Sequence, residues 1–202
     1  MIRKKILITS LPRSGSTWVL KMLSIRKHII GLHEPDHLDA VGIGDEGMHT
    51  YIKDQDQVQW DAYYSMNSSI YSGARPEASA YSTEHVRTLT KKVRDFMPES
   101  QTLIVKSVFS LHNTEWIYQK FSPQVVVLLR HPCSVIHSIH RKWPGARLKD
   151  LLDQPAFVSD YLSPYLETLK CAETVYEVLA ARVAAYYRVI LDACAIHPSW
   201  VV

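Results

Sequence analysis

Residues 5–27 read KILITSLPRSGSTWVLKMLSIRK, and the change of pattern inside this stretch decides the fold. Lys5–Ser10 is short, apolar and partly β-branched, the composition of a buried strand. Leu11–Ser16 carries proline, glycine and two serines and reads as a turn. From Thr17 to Lys27 the apolar residues Trp18, Leu20, Met22, Leu23 and Ile25 suit a helix. The unit is therefore strand, polar loop, helix. A loop in that position points backbone N–H groups at whatever lies above it, and the helix dipole adds partial positive charge, so it favours phosphate. Gly15 permits close backbone approach, Ser14, Ser16 and Thr17 add hydroxyl donors, and Arg13 adds a fixed charge. The pattern GxxxxGK[ST] is not met, because there is no Gly-Lys pair and no leading glycine. This argues against a kinase or ATPase, and against a magnesium site built on Lys-Ser/Thr.

Working outward, residues 31–82 hold five glycines, many aromatics and little periodicity, and read as long loops with short helices. Thr83–Phe96 reads as a helix with Thr83 as N-cap. Thr102–Val105 is a second strand, His112–Phe121 a helix, and Gln124–Leu129 a third strand, apolar enough to be buried on both faces. Pro132–Arg141 is a helix with proline in its first turn. Pro164–Ile196 is largely helical with a break, and Ser199–Val202 looks like a strand just starting. Strands alternating with helices predict an α/β fold, three layers α/β/α around a mostly parallel central sheet. Ligands bind such sheets at the carboxyl ends of the strands. No internal repeat or second domain is visible, so residues 1–202 are expected to form one domain.

A second polar segment falls at such a strand end. Arg130 closes the third strand, Pro132 opens the next helix, and Ser138 lies two turns into it. An arginine there can grip phosphate bidentately, and the serine can reach the same group. At this point the chain resembles a known family. LPRSGSTW at 11–18 resembles the 5′-phosphosulfate-binding loop of sulfotransferases, usually PKSGTTW or PRSGST. Arg130-His131-Pro132 followed by Ser138 resembles their 3′-phosphate site, in the family's order and at about its separation. The resemblance covers roughly Lys4–Arg141 and is weak across the middle loops.

The resemblance implies a P-loop NTPase-like fold and transfer of the sulfuryl group of 3′-phosphoadenosine 5′-phosphosulfate (PAPS) to a hydroxyl. The product would be the 3′,5′-bisphosphate PAP, with no metal required. It implies cofactor binding by Arg13, Ser14, Gly15, Ser16, Thr17, Trp18, Arg130 and Ser138. A base must accept the acceptor's proton. The K-T-H histidine of some members is absent, since the matching stretch is Lys106-Ser107-Val108. Members acting on sugars use a glutamate shortly after the first helix, and Gly31-Leu32-His33-Glu34-Pro35 offers Glu34 as base, with His33 in reserve. Arg13 and Lys106 are the expected stabilisers of charge on the transferring group. These features lean toward the bacterial, carbohydrate-type branch and a sugar, glycolipid or small-metabolite acceptor. Family domains usually run past a further strand into a glycine- and basic-rich segment over the nucleotide. A chain of 202 residues is therefore expected to lack that segment, leaving an open sheet edge available for self-association. The alternative is a truncated or non-catalytic PAP/PAPS-binding remnant.

A formal charge of +3 with no basic block suits a small anion and not nucleic acid. No apolar run reaches the roughly 18 residues of a membrane span, and the first strand starts too early for an anchor ahead of it. Cys133, Cys171 and Cys194 fit no disulfide or CxxC pattern and read as reduced thiols in the cytoplasm. His33-Glu34-Pro35-Asp36-His37 matches HExxH, but Pro35 disfavours the helix that motif needs. Gly42–Gly47 matches GxGxxG with no strand before it. Tyr51, Trp60, Tyr63, Tyr64, Tyr71 and Tyr81 are expected mainly to pack loops, with an acceptor platform as the lesser role. His112, His137 and His140 are expected on helix surfaces or in packing.

Overall fold

A computed structural model describes residues 2–26, 28–36, 51–52, 57–72, 101–145 and 147–202, with only the backbone for 57–60, 62 and 101. Four strands form one sheet: β1 (Ile2–Ser10), β2 (Ile29–His33), β3 (Gln101–Ser107) and β4 (Gln124–Leu128). Their order is β2-β3-β1-β4, and every pairing is parallel. Beyond β4, Val201 forms a parallel bridge to Val126, with Val127 N–H donating to the Val201 carbonyl at 2.7 Å. The strand expected at Ser199–Val202 begins there.

The strands are apolar on both sides because both sides are covered. Leu7, Leu103 and Val105 pack with Tyr63, Ile70, Tyr71 and Ile117, from helices α2 (Gln57–Ser72) and α3 (Thr114–Phe121). Val125 and Val127 pack against Val183, Tyr186, Val189 and Ile190 of the long helix α5 (Val175–Ile196). The alternate residues Ile8 and Ile104 turn the other way, onto Leu20 of helix α1 (Ser16–Leu23). Leu7 and Ile8 are fully buried, each worth about 1.5–3 kcal/mol relative to exposure. The three-layer α/β/α arrangement around a parallel sheet is thus observed.

Two elements correct the reading of residues 31–82 as long loops with short helices. The edge strand β2 (IIGLH) is obscured by its glycine. A Cβ at Gly31 would sit 2.3 Å from Ser24 Oγ and 3.1 Å from Leu20 Cδ1. The glycine is therefore what lets α1 lie against β2. Helix α2 runs 16 residues, and its buried side includes Tyr63, Asn67, Ile70 and Tyr71, spaced i, i+4, i+7, i+8. Tyrosine and asparagine in that stripe disguise it. The expected helix at 83–96, the GxGxxG stretch, His37, Tyr81 and the Trp60 side chain lie outside the described residues.

Helix α4 (Pro132–Lys142) starts with Pro132 in its first turn, as read from the sequence. Short helical turns fill 149–170 before α5, which opens on a capping box. Glu177 N–H donates to Thr174 Oγ1 at 3.3 Å, and Thr174 N–H to Glu177 Oε2 at 2.8 Å. Among the described residues no helix is long and apolar enough to cross a membrane.

Candidate active site

Because β1 and β4 are adjacent and parallel, the loops leaving their carboxyl ends meet. The β1 loop turns sharply: Arg13 has φ 69° and Gly15, the N-cap of α1, φ 95°. A Cβ at Gly15 would touch nothing within 4 Å, so backbone conformation, not space, selects glycine there. Ser16 is buried and accepts a hydrogen bond from Ser10 Oγ at 2.8 Å, fixing the loop to its strand. Ser14 Oγ is buried with no hydrogen-bond partner among the described residues. Trp18, on the first turn of α1, is 66% exposed.

The second junction folds onto the first. Arg13 Nε donates to Ser138 Oγ at 3.0 Å, and Arg130 Nη1 donates to the Arg13 carbonyl at 2.8 Å. Arg130 is itself clasped by α5: Tyr187 Oη donates to its carbonyl and accepts from its N–H. Sequence reasoning missed Tyr187, and no local signal marks it, since it lies 57 residues from Arg130. A cleft of about 580 Å³ opens here, lined by Arg13, Arg130 and the side of α4 that carries Ser138, with no carboxylate in its wall among the described residues.

Glu34 and Lys106 meet at the ends of β2 and β3, where His33 and Lys106 are register partners. The Glu34 N–H extends the ladder by one bond, to the Lys106 carbonyl at 2.7 Å. Glu34 has φ 48°, so two of the three non-glycine residues with positive φ among those described are candidate site residues. Lys106 is not a solvated strand end. Its ammonium is buried and donates to Glu34 Oε1. His33 Nδ1 lies 3.9 Å from Glu34 Oε2, and its Nε2 is 3.1 Å from Thr17 Oγ1 in the first turn of α1. The His33 imidazole is pushed below its ordinary pKa by partial burial and then by the Lys106 ammonium, against a smaller pull from Glu34, and is neutral at pH 7. Glu34 follows a strand in left-handed backbone, so this part of the HExxH match is not helical.

Asp36, also missed, sits behind this corner. Ser107 Oγ donates to its Oδ2 at 2.6 Å, and the Phe109 and Ser110 N–H groups donate to Ser107 Oγ, each at 3.0 Å. Burial pushes the Asp36 carboxyl up to about 6, partly opposed by the Ser107 hydrogen bond. The signal available in the sequence was its place two residues from Glu34.

The remaining candidates pack. Tyr71 stacks on Phe121 at 5.2 Å, Tyr63 and Tyr64 lie against Trp116, and Tyr51 bonds Asp160. His112 is buried between Phe157 and Tyr186, and His140 lies against Tyr176. His137 instead lines the cleft. The three cysteines are unbridged.

No curated protein matches the chain. The family model described as "Sulfotransferase family" matches residues 5–198, well past the stretch in which the motifs are legible. The match takes in both junctions, the Glu34–Lys106 corner and the long helix that clasps Arg130. On that span the chain belongs to the sulfotransferase family, whose chemistry is sulfuryl transfer.

Proposed function

We propose that this chain moves the sulfuryl group of PAPS to a hydroxyl of a sugar, glycolipid or small metabolite, leaving PAP. The observation that carries the reading is the joining of two anion-binding junctions through Arg13, bonded to Ser138 on one side and to Arg130 on the other. Two features fit such a nucleotide. Ser14 Oγ is a buried hydroxyl without a hydrogen-bond partner among the described residues, and buried hydroxyls are normally bonded. Among the described residues, the cleft wall holds cations and no carboxylate. Ser14, Gly15, Ser16 and Thr17 with Arg13 would hold the phosphosulfate end. Arg130 and Ser138 would hold the 3′-phosphate, and Trp18 offers exposed ring surface beside them. Bound PAPS supplies the activated sulfuryl group and its phosphate leaving group.

The chain's own residues position groups, stabilise charge and move one proton. Arg13 keeps a guanidinium at the head of the loop, where negative charge accumulates. Lys106 holds Glu34 Oε1, so Oε2 is the oxygen left to take the acceptor's proton. His33, neutral and tied to Thr17, links that carboxylate to the first turn of α1. The lean toward a carbohydrate-type acceptor rests on Glu34 standing where sugar-acting members carry their glutamate.

Calorimetry of PAP, and of ATP with magnesium, on this chain and on Arg130→Ala tests the reading. Tight PAP binding that Arg130→Ala abolishes supports it. Magnesium-dependent ATP binding in its place overturns it. PAP binding without turnover on any hydroxyl acceptor returns the alternative, a nucleotide-binding module without catalysis.

A further inference from the structure

Resting on the nucleotide reading above, we infer that Arg141 and Lys142, at the end of α4, are specificity-determining residues that select nucleotides carrying a 3′-phosphate. Ser138 is the α4 residue that the sulfotransferase motif predicts. The cleft continues past it along one stripe of the helix: Ser134, His137 and Ser138, then Arg141 and Lys142. Successive helical residues are turned by about 100°, so these five fall within roughly 140° of the helix circumference. Arg141 follows Ser134 by seven positions and lies near the middle of that stripe. Helical side chains lean toward the helix N-terminus. The two cations one turn beyond Ser138 therefore reach back over it, toward the group that Ser138 and Arg130 hold.

Their charge is available. Arg13 spends a donor on Ser138 of α4, and Arg130 spends one on the Arg13 carbonyl of the loop. Arg141 and Lys142 make no hydrogen bond or ion pair among the described residues, and both are exposed. Four permanent cations thus face one cleft with no acidic side chain in its wall among the described residues. A lone strand-end arginine and a serine would serve one phosphate. The added pair matches a dianionic group at the α4 end of the cleft, which a nucleotide phosphorylated only at its 5′ end does not supply. A planar arginine fork over a phosphate adds geometric selection to charge.

The test compares PAP with ADP, which carries the same two phosphates on the 5′ side alone. Each is titrated by calorimetry into the unsubstituted chain and into Arg141→Gln, Lys142→Gln, the double variant and Arg141→Lys. The double variant is expected to lose at least roughly tenfold in PAP affinity with ADP affinity within about twofold of its starting value, and Arg141→Lys to recover part of the loss. Equal losses for PAP and ADP would reduce the pair to general attraction for anions and overturn the inference. Unchanged PAP affinity would overturn it too, with the nucleotide reading intact. If the unsubstituted chain binds no PAP, the nucleotide reading falls and this inference falls with it.

Discussion

The two halves of the site are built on opposite electrostatic plans. At the β1–β4 end, Arg13, Arg130, Arg141 and Lys142 crowd an open cleft with nothing acidic in its wall among the described residues. At the β2–β3 end, Lys106, Glu34, His33 and Asp36 form a mixed-sign corner in which the lysine is buried and already paired. On the proposed reading, the first end is completed by an anion from outside. The second is complete in itself, and what it offers is an oriented carboxylate. Like charges in an open cleft repel one another mildly through water. A buried cation without its partner costs several kcal/mol. Removing a charge should therefore weaken ligand binding at one end, and catalysis or stability at the other.

The largest expected effect falls on the proton-handling end. Glu34→Gln should lower turnover by about 10²-fold or more, the scale of general-base catalysis, while PAP affinity by calorimetry stays unchanged. Full turnover in that variant removes Glu34 as the base. Next is the pH dependence of stability set by Asp36. Its folded pKa of about 6 lies above the ordinary value of 3.8, so the folded state holds the proton more tightly than the unfolded chain. That contribution is present below about pH 4 and is lost as pH rises through 6, on the order of 3 kcal/mol across the window. Asp36→Asn should flatten this dependence and raise stability at pH 7, read from denaturant midpoints at pH 4, 5, 6 and 7. Identical profiles for the two proteins would mean that the buried carboxyl pays no such penalty.

At the anion end, Arg130→Ala should cost about 1.5–3 kcal/mol of PAP affinity, the worth of a charge-assisted bond, and leave the melting temperature within a few degrees. A large fall in melting temperature would instead make the cleft a structural device and erase the contrast between the ends. The smallest effect is expected at the loop. Gly15→Ala meets no neighbour, so only the left-handed backbone resists it, at about 1–2 kcal/mol of stability.

Each part of the molecule was legible to the degree that its signal was local. The strands β1, β3 and β4 stand out because buried parallel strands are apolar on both faces. Gly15 stands out because a tight turn between strand and helix favours glycine, and Arg13 and Arg130 because each puts a fixed positive charge at a strand's carboxyl end. By contrast, β2 escaped because the glycine that admits α1 dilutes its pattern, and α2 because tyrosines and Asn67 fill its buried stripe.

The sequence by itself determined the class of fold, the family and the two polar strand-to-helix junctions, since each is written within some ten consecutive residues. Only the tertiary structure decided what those junctions touch. The order β2-β3-β1-β4 sets Glu34 beside Lys106 across 72 positions and Arg13 beside Ser138 across 125. It also lets the hydroxyl of Tyr187 close over Arg130. Such pairings follow from which strands lie side by side and which helix faces pack on them. Burial of the whole core fixes that arrangement, and no short stretch of residues encodes it.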